Sequence, residues 1–170
     1  MHSARVALLT GAALLALAVT AVASGMRPPP LEDGTLSVRD GRATILLRMN
    51  GGVIGRFARG KLTVTESPGG GTTVVVRGGK RPKFINARTT VYSGANIRFR
   101  IADDRRVVVR IHGSKINFSA VGRGEAWLDG WGNPALGVYF DGSYSLNGDN
   151  YRSLPDQRAR VELAAVPTAP

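Results

Sequence analysis

The sequence predicts an all-β fold: a single antiparallel β-sandwich or barrel-like domain of short strands, preceded by a helical signal segment. Three observations carry that expectation. Beyond the first two dozen residues, no window keeps the i, i+3, i+4, i+7 spacing of an amphipathic helix over three turns. Roughly ten to twelve short runs of alternating apolar and polar residues recur every ~8–12 residues. Glycine-rich turn signals separate them. A β-solenoid is the alternative, although a solenoid ordinarily shows more copies at a shorter period.

The chain has 170 residues and opens with Arg5 before an apolar run over residues 6–22, ending in Ala21-Val22-Ala23. That is the layout of a secretory signal with a small-x-small cleavage site, so residues 1–23 are expected to be removed and the domain exported, secreted or associated with the cell envelope. An uncleaved segment serving as an anchor is the alternative, because ~18 apolar residues can just span a bilayer. Residues 24–34 read as a Pro-rich linker, since Arg27-Pro28-Pro29-Pro30 favours an extended spacer. Residues 35–165 form the expected all-β domain and residues 166–170 a disordered tail.

Within the domain, Leu36 and Val38 begin the alternation, and Asp40-Gly41 reads as a turn. Ala43, Ile45, Leu47 and Met49 mark the next strand, which Asn50-Gly51-Gly52 breaks; Val53 to Phe57 resumes it. Leu62 and Val64 share one face of a further strand. Ser67 to Gly71 is a flexible loop and residues 72–77 a β-branched strand. Residues 78–83 form the densest basic loop, with Lys80, Arg81 and Lys83 in four positions. A short strand over residues 89–92 follows. Trp127, Trp131, Tyr139, Phe140, Tyr144 and Tyr151 are interleaved with Asp129-Gly130, Asp141-Gly142 and Asn147-Gly148, each a hairpin signal. Residues 158–163 close the domain, with Ala159, Val161 and Leu163 on one face.

A faint repeat runs through this order. At an offset of 62, Ile45, Leu47, Met49, Gly51 and Ile54 align with Val107, Val109, Ile111, Gly113 and Ile116. After a two-residue shift, Arg59-Gly60, Leu62 and Val64 meet Arg123-Gly124, Ala126 and Leu128. The chain therefore reads as two related halves, although any two amphipathic hairpins align comparably.

The most informative stretch is Asn96 to Val121, a meander of three alternating runs. Pairing Ile97–Ile101 with Val107–Ile111 around Asp103-Asp104-Arg105 sets Phe99 opposite Val109 and Arg98 opposite Arg110, with Arg100 and Arg106 nearby. Like charges directly across an antiparallel pair are unfavourable unless a counter-charge lies between them. Arg98, Arg100, Arg106 and Arg110, together with Lys80, Arg81 and Lys83, are accordingly the candidate anion-binding residues. The bland reading is that the long side chains splay apart or pair with neighbouring acids.

Composition narrows the chemistry. There are 23 Lys plus Arg against 12 Asp plus Glu, a formal charge of +11, and only Lys61, Lys80, Lys83 and Lys115 are lysine. Such a balance favours anionic partners, an envelope polymer or a lipid surface. Nucleic acid is not expected, since the charge is scattered and forms no basic run. Cysteine is absent, which removes disulfides, thiolate nucleophiles and thiolate metal sites. His112 is the only histidine beyond the signal and has no triad partners in view. Asp141 to Asn150 departs from the calcium-loop order, so no metal is assigned. No Walker frame exists and neither Gly-rich loop opens a helix, so no nucleotide or other cofactor is expected. Trp127 and Trp131 are a candidate aromatic platform for sugars or bases, with core filling as the plainer account.

These observations converge on an exported, non-enzymatic β domain that contacts anionic cell-envelope material through arginine-rich surfaces. The alternative is a carbohydrate-active or envelope hydrolase using carboxylates in the aromatic C-terminal third. Oligomeric state has no signature in the sequence.

Overall fold

A computed structural model describes residues 32–132 and 141–164. These residues are all-β, antiparallel and without helix. The expected signal, most of the linker, Tyr139, Phe140 and the tail lie outside the described residues. The strands are β1 (Gly34–Thr65), β2 (Thr73–Arg77), β3 (Lys83–Asn86), β4 (Thr89–Gly130), β5 (Ser143–Leu146), β6 (Arg152–Ser153) and β7 (Ala159–Leu163).

Two of these strands are far longer than the runs read from the sequence, because their ladders continue through the places where breaks were expected. Asp40 adopts φ 49° and the register slips between Val38 and Gly41, so the Asp40-Gly41 signal makes a bulge and not a turn. Asp129 and Gly130 stay in the ladder, opposite Thr44 and Ala43. Asn147-Gly148 does form the expected two-residue turn. Both residues have positive φ, 49° and 80°, and the Asp149 N–H donates to the Leu146 carbonyl at 2.8 Å.

Taken run by run, the ladders form two rows. In one, β3 is followed by residues 89–95, 59–65, 108–114, 43–49 and 124–130 and then by β7. In the other, β2 is followed by residues 97–103, 51–57, 117–122 and 34–38 and then by β5 and β6. The sheet does not close, and every ladder is antiparallel, which is consistent with a sandwich. Most pairs join residues far apart in the chain, unlike the neighbour stacking of a solenoid.

Both rows feed one core. Ile45, Leu47, Leu62, Val64, Val109, Ile111, Leu128 and Leu163 come from the first; Leu36, Val53, Phe57, Ile97, Ile101 and Ile116 join them in the same cluster. Phe99, Val109 and Phe118, the residues that alternation assigns to the core, are 3%, 0% and 5% exposed. Each such side chain contributes about 1.5–3 kcal/mol through burial, and in a chain without cysteine this burial replaces any disulfide.

Glycine lets the long strands pass from row to row. Gly51 lies opposite Gly122, and Gly60 lies opposite Gly113. A Cβ at Gly51 would overlap the Val121 carbonyl, and one at Gly122 the Asn50 carbonyl. The Gly60–Gly113 pair meets in the same way, through the His112 and Arg59 carbonyls. These two contacts are related. Exchanging Ile45, Leu47 and Met49 with Val107, Val109 and Ile111 maps their ladder onto itself about the Leu47–Val109 pair, and it carries Gly51–Gly122 onto Gly113–Gly60. The offset of 62 is thus a pseudo-twofold of the ladders. The two-residue shift is not followed here, since the counterpart of Gly60 is Gly122 and not Gly124.

Glycines of the same crossing should therefore differ sharply in their response to alanine. Gly122→Ala meets backbone and a φ of 149°, and should cost about 3 kcal/mol in urea unfolding. Gly52→Ala has only the Ile101 carbonyl at 3.9 Å and should change stability by less than about 1 kcal/mol.

Candidate anion-binding site

Alternation decides which side chains face out of the second row. With Ile97, Phe99 and Ile101 buried, Arg98 and Arg100 point outward. Val53 and Phe57 are buried, so Ile54 and Arg56 share that outer face. On β2, Val74 and Val76 pack toward the core, leaving Val75 and Arg77 exposed.

Register then brings the outward residues into line. Arg77 is the Cα partner of Arg98, Arg98 of Arg56, and Arg56 of Asn117. One step along, Val75, Arg100, Ile54 and Ser119 are partners in the same order. Three arginines stand directly abreast across three strands, with a fourth beside an apolar pair. Ile54 is 60% exposed and Val75 46%. Together they line an open groove of about 730 Å³ floored by Gly55 and Phe99. Gly55 is required there, because its Cβ would overlap the Phe99 ring at 2.7 Å.

A second recess of about 290 Å³ adjoins it through Arg56, Arg98 and Asn117, and adds Lys115 and Asp40. Asp40 is held by Asn117: the Asn117 amide donates to the Asp40 carboxylate at 3.3 Å, and the Asp40 N–H donates to the Asn117 side-chain oxygen at 3.2 Å. Among the described residues no ion pair reaches Arg56, Arg77, Arg98 or Arg100. On the outer face of the other row, Arg48 and Arg160 do have acid partners. Glu125 lies between Arg48 and Arg160, 4.0 and 2.9 Å away, and Arg160 also reaches Glu162 at 3.5 Å.

The hairpin expected between Ile97–Ile101 and Val107–Ile111 does not form. Residues 107–113 are already flanked by 43–49 and 59–65, so neither edge is left for 97–101. Of the arginines read from the meander, Arg98 and Arg100 are brought together. Arg110 stands in the other row between Thr63 and Leu46. Arg106 lies at the connection between rows, beside Arg105 and Arg123. Lys80 and Arg81 are exposed in the loop after Arg77, and Lys83 opens β3. Arg56 and Arg77 were missed, although each is signalled by alternation against Phe57 and Val76.

The candidate platform residues face protein cations. Trp127 projects from the first row with the guanidinium carbons of Arg48 and Arg158 at 5.0 and 5.6 Å from its ring centre. Trp131 has Arg42 at 5.5 Å and the His112 ring at 4.6 Å. His112 Nδ1 and Thr44 Oγ1 are 2.9 Å apart, and the Trp131 indole N–H donates to the same hydroxyl at 3.4 Å. His112 is thus held in a side-chain cluster on the first row.

No known protein family, curated protein or solved structure matches the chain.

The groove depends on where β2 enters. Buried Asp103 accepts hydrogen bonds from the Thr72 hydroxyl and, at 2.8 Å, from the Arg105 N–H. Ser67 donates to the Arg106 carbonyl, and Arg105 to the Pro68 carbonyl at 3.1 Å. The loop leading into β2 is thereby fastened to β4. Burial works to raise the Asp103 carboxyl, but the bonds from Thr72, Arg105 and Ser67 outweigh it and hold it below the usual range. Asp103→Asn should cost about 1–3 kcal/mol at neutral pH. For a depressed carboxyl, the wild-type contribution is present above the unfolded value of about 3.9 and is lost as pH falls through the lower folded value. Urea unfolding of both proteins from neutral pH downward should show the gap closing below about pH 4.

Proposed function

We propose that this chain is an exported, non-enzymatic domain of β-sandwich architecture that binds phosphate-bearing or otherwise anionic cell-envelope material on the Arg56–Arg98–Arg77 face. The observation that carries this reading is the cross-strand alignment of three arginines with no acidic partner among the described residues. Like-charge partners in direct register destabilise a sheet by up to about 1 kcal/mol per pair. A bound polyanion turns the same geometry into adjacent charge-assisted hydrogen bonds. The apolar strip of Ile54 and Val75 beside the arginines suits an anion carried on a partly apolar body.

Of the turn carboxylates Asp129, Asp141 and Asp149 on which a hydrolase would draw, the last two have protein partners, although Asp141 Oδ1 is buried without one among the described residues. Asp141 is buried and accepts from the Gly132 N–H, and Asp149 lies 3.7 Å from Arg152.

Titration with inorganic polyphosphate at moderate salt tests the proposal. Arg98→Gln and Arg56→Gln should each weaken binding by about tenfold, the equivalent of about 1.4 kcal/mol. Arg110→Gln, on the opposite face, should leave it within about twofold of wild type. Equal losses at all three positions would show a diffuse charge effect and overturn the site.

A further inference from the structure

β3 is an edge strand with all four of its residues exposed. Phe84 is 73% exposed and Ile85 55%. Neighbours on a strand point to opposite faces, so exposure of both means that neither face of β3 rests on the core. The strand projects beyond it. Both ends of the hairpin are fixed: at its base the Lys80 N–H donates to the Ser93 carbonyl at 2.8 Å, and at its turn the Glu66 N–H donates to the Arg88 carbonyl at 2.9 Å. The tip is closed by the Arg88 N–H donating to the Asn86 side-chain oxygen at 2.9 Å. Between residues 80 and 88 stand Lys80, Arg81, Lys83 and Arg88, all exposed, and no acid.

From this arrangement we infer that the β3 hairpin is a membrane-docking element that places Phe84 and Ile85 into the interface of an anionic lipid bilayer. Charge supplies the complementarity. A basic side chain gains electrostatically near an anionic leaflet, and an apolar side chain gains by burial at the acyl boundary. Two exposed apolar side chains ringed by four cations match a surface whose phosphates overlie hydrocarbon. A second copy added along the edge fits less well, because Pro82 cannot donate to a ladder and Lys83 is a charge of the kind that keeps edges unpaired. The inference stands on residues distinct from the arginine ladder and does not depend on it.

The test uses the chain from residue 24, the expected mature form; every core residue among those described lies between Leu36 and Leu163. The absence of cysteine allows a single environment-sensitive label at I85C, or at E162C on exposed β7. With phosphatidylcholine vesicles containing one-third phosphatidylglycerol, the label at 85 should shift to the blue and the label at 162 should not. Pure phosphatidylcholine vesicles should leave both unchanged. F84S/I85S, which removes little packing, should nearly keep its unfolding midpoint and lose about tenfold or more in vesicle affinity, while Arg110→Gln should lose far less. An unshifted label at 85, or full vesicle affinity in F84S/I85S, would overturn the inference. So would a lipid-free dimer that F84S/I85S dissociates, which would assign the hairpin to a second copy of the chain. Loss of vesicle binding in Arg98→Gln alone would move membrane contact to the ladder and likewise overturn it.

Discussion

Two close approaches of backbone, Gly51 against Gly122 and Gly60 against Gly113, set the architecture of this protein. At each, a long strand and its partner leave one row together and enter the other without breaking their ladder. Any larger residue would push the chains apart and separate the rows. Because the crossings hold, residues 51–57 fall between 97–103 and 117–122, and the outward side of that trio is fixed. Arg56 then has no choice of neighbour: Arg98 is its partner, and β2 adds Arg77 beyond.

The consequence is an asymmetry of charge between the two outer faces. On the first row, Arg48, Arg158 and Arg160 meet Glu125 or Glu162 or lie over the Trp127 ring, while Arg110 has no ion pair among the described residues. On the second, Arg56, Arg77, Arg98 and Arg100 meet each other and the apolar side chains of Ile54 and Val75, while Arg123 and Arg152 toward its far end pair with Asp33 and Asp149. A surface arranged only for solubility would intersperse the two signs. The formal +11 of the chain is therefore less informative than its distribution, which sets cations without an ion pair among the described residues around one groove and at the hairpin of β3.

The direction of each side chain was legible in the sequence, and the partner of each strand was not. Alternation placed Ile97, Phe99, Ile101, Val107, Val109 and Ile111 in the core and turned Trp127 away from Ala126 and Leu128. It could not reveal that the run after Asp103 joins the opposite row. Local turn signals favour pairing with the nearest run, and Asp40-Gly41 and Asp129-Gly130 resemble hairpin turns although the ladder runs through them. The decisive signal was the glycine pairs, and a close approach has no periodicity to detect. Arg98 is opposed by arginines in the actual register too. Its partners became Arg56 and Arg77 in place of Arg110.

The central claim is that the Arg56–Arg98–Arg77 ladder is a site short of its counter-ion. It is tested most directly by thermal unfolding in pyrophosphate and in sodium chloride at matched ionic strength, for wild type and Arg98→Gln. A ligand that binds only the folded state raises stability by about 2.7 kcal/mol at a hundred times its dissociation constant, whereas screening depends on ionic strength alone. The account predicts that pyrophosphate raises the wild-type midpoint above the chloride value and that Arg98→Gln loses this excess. The same excess in both proteins, or none in wild type, would contradict it.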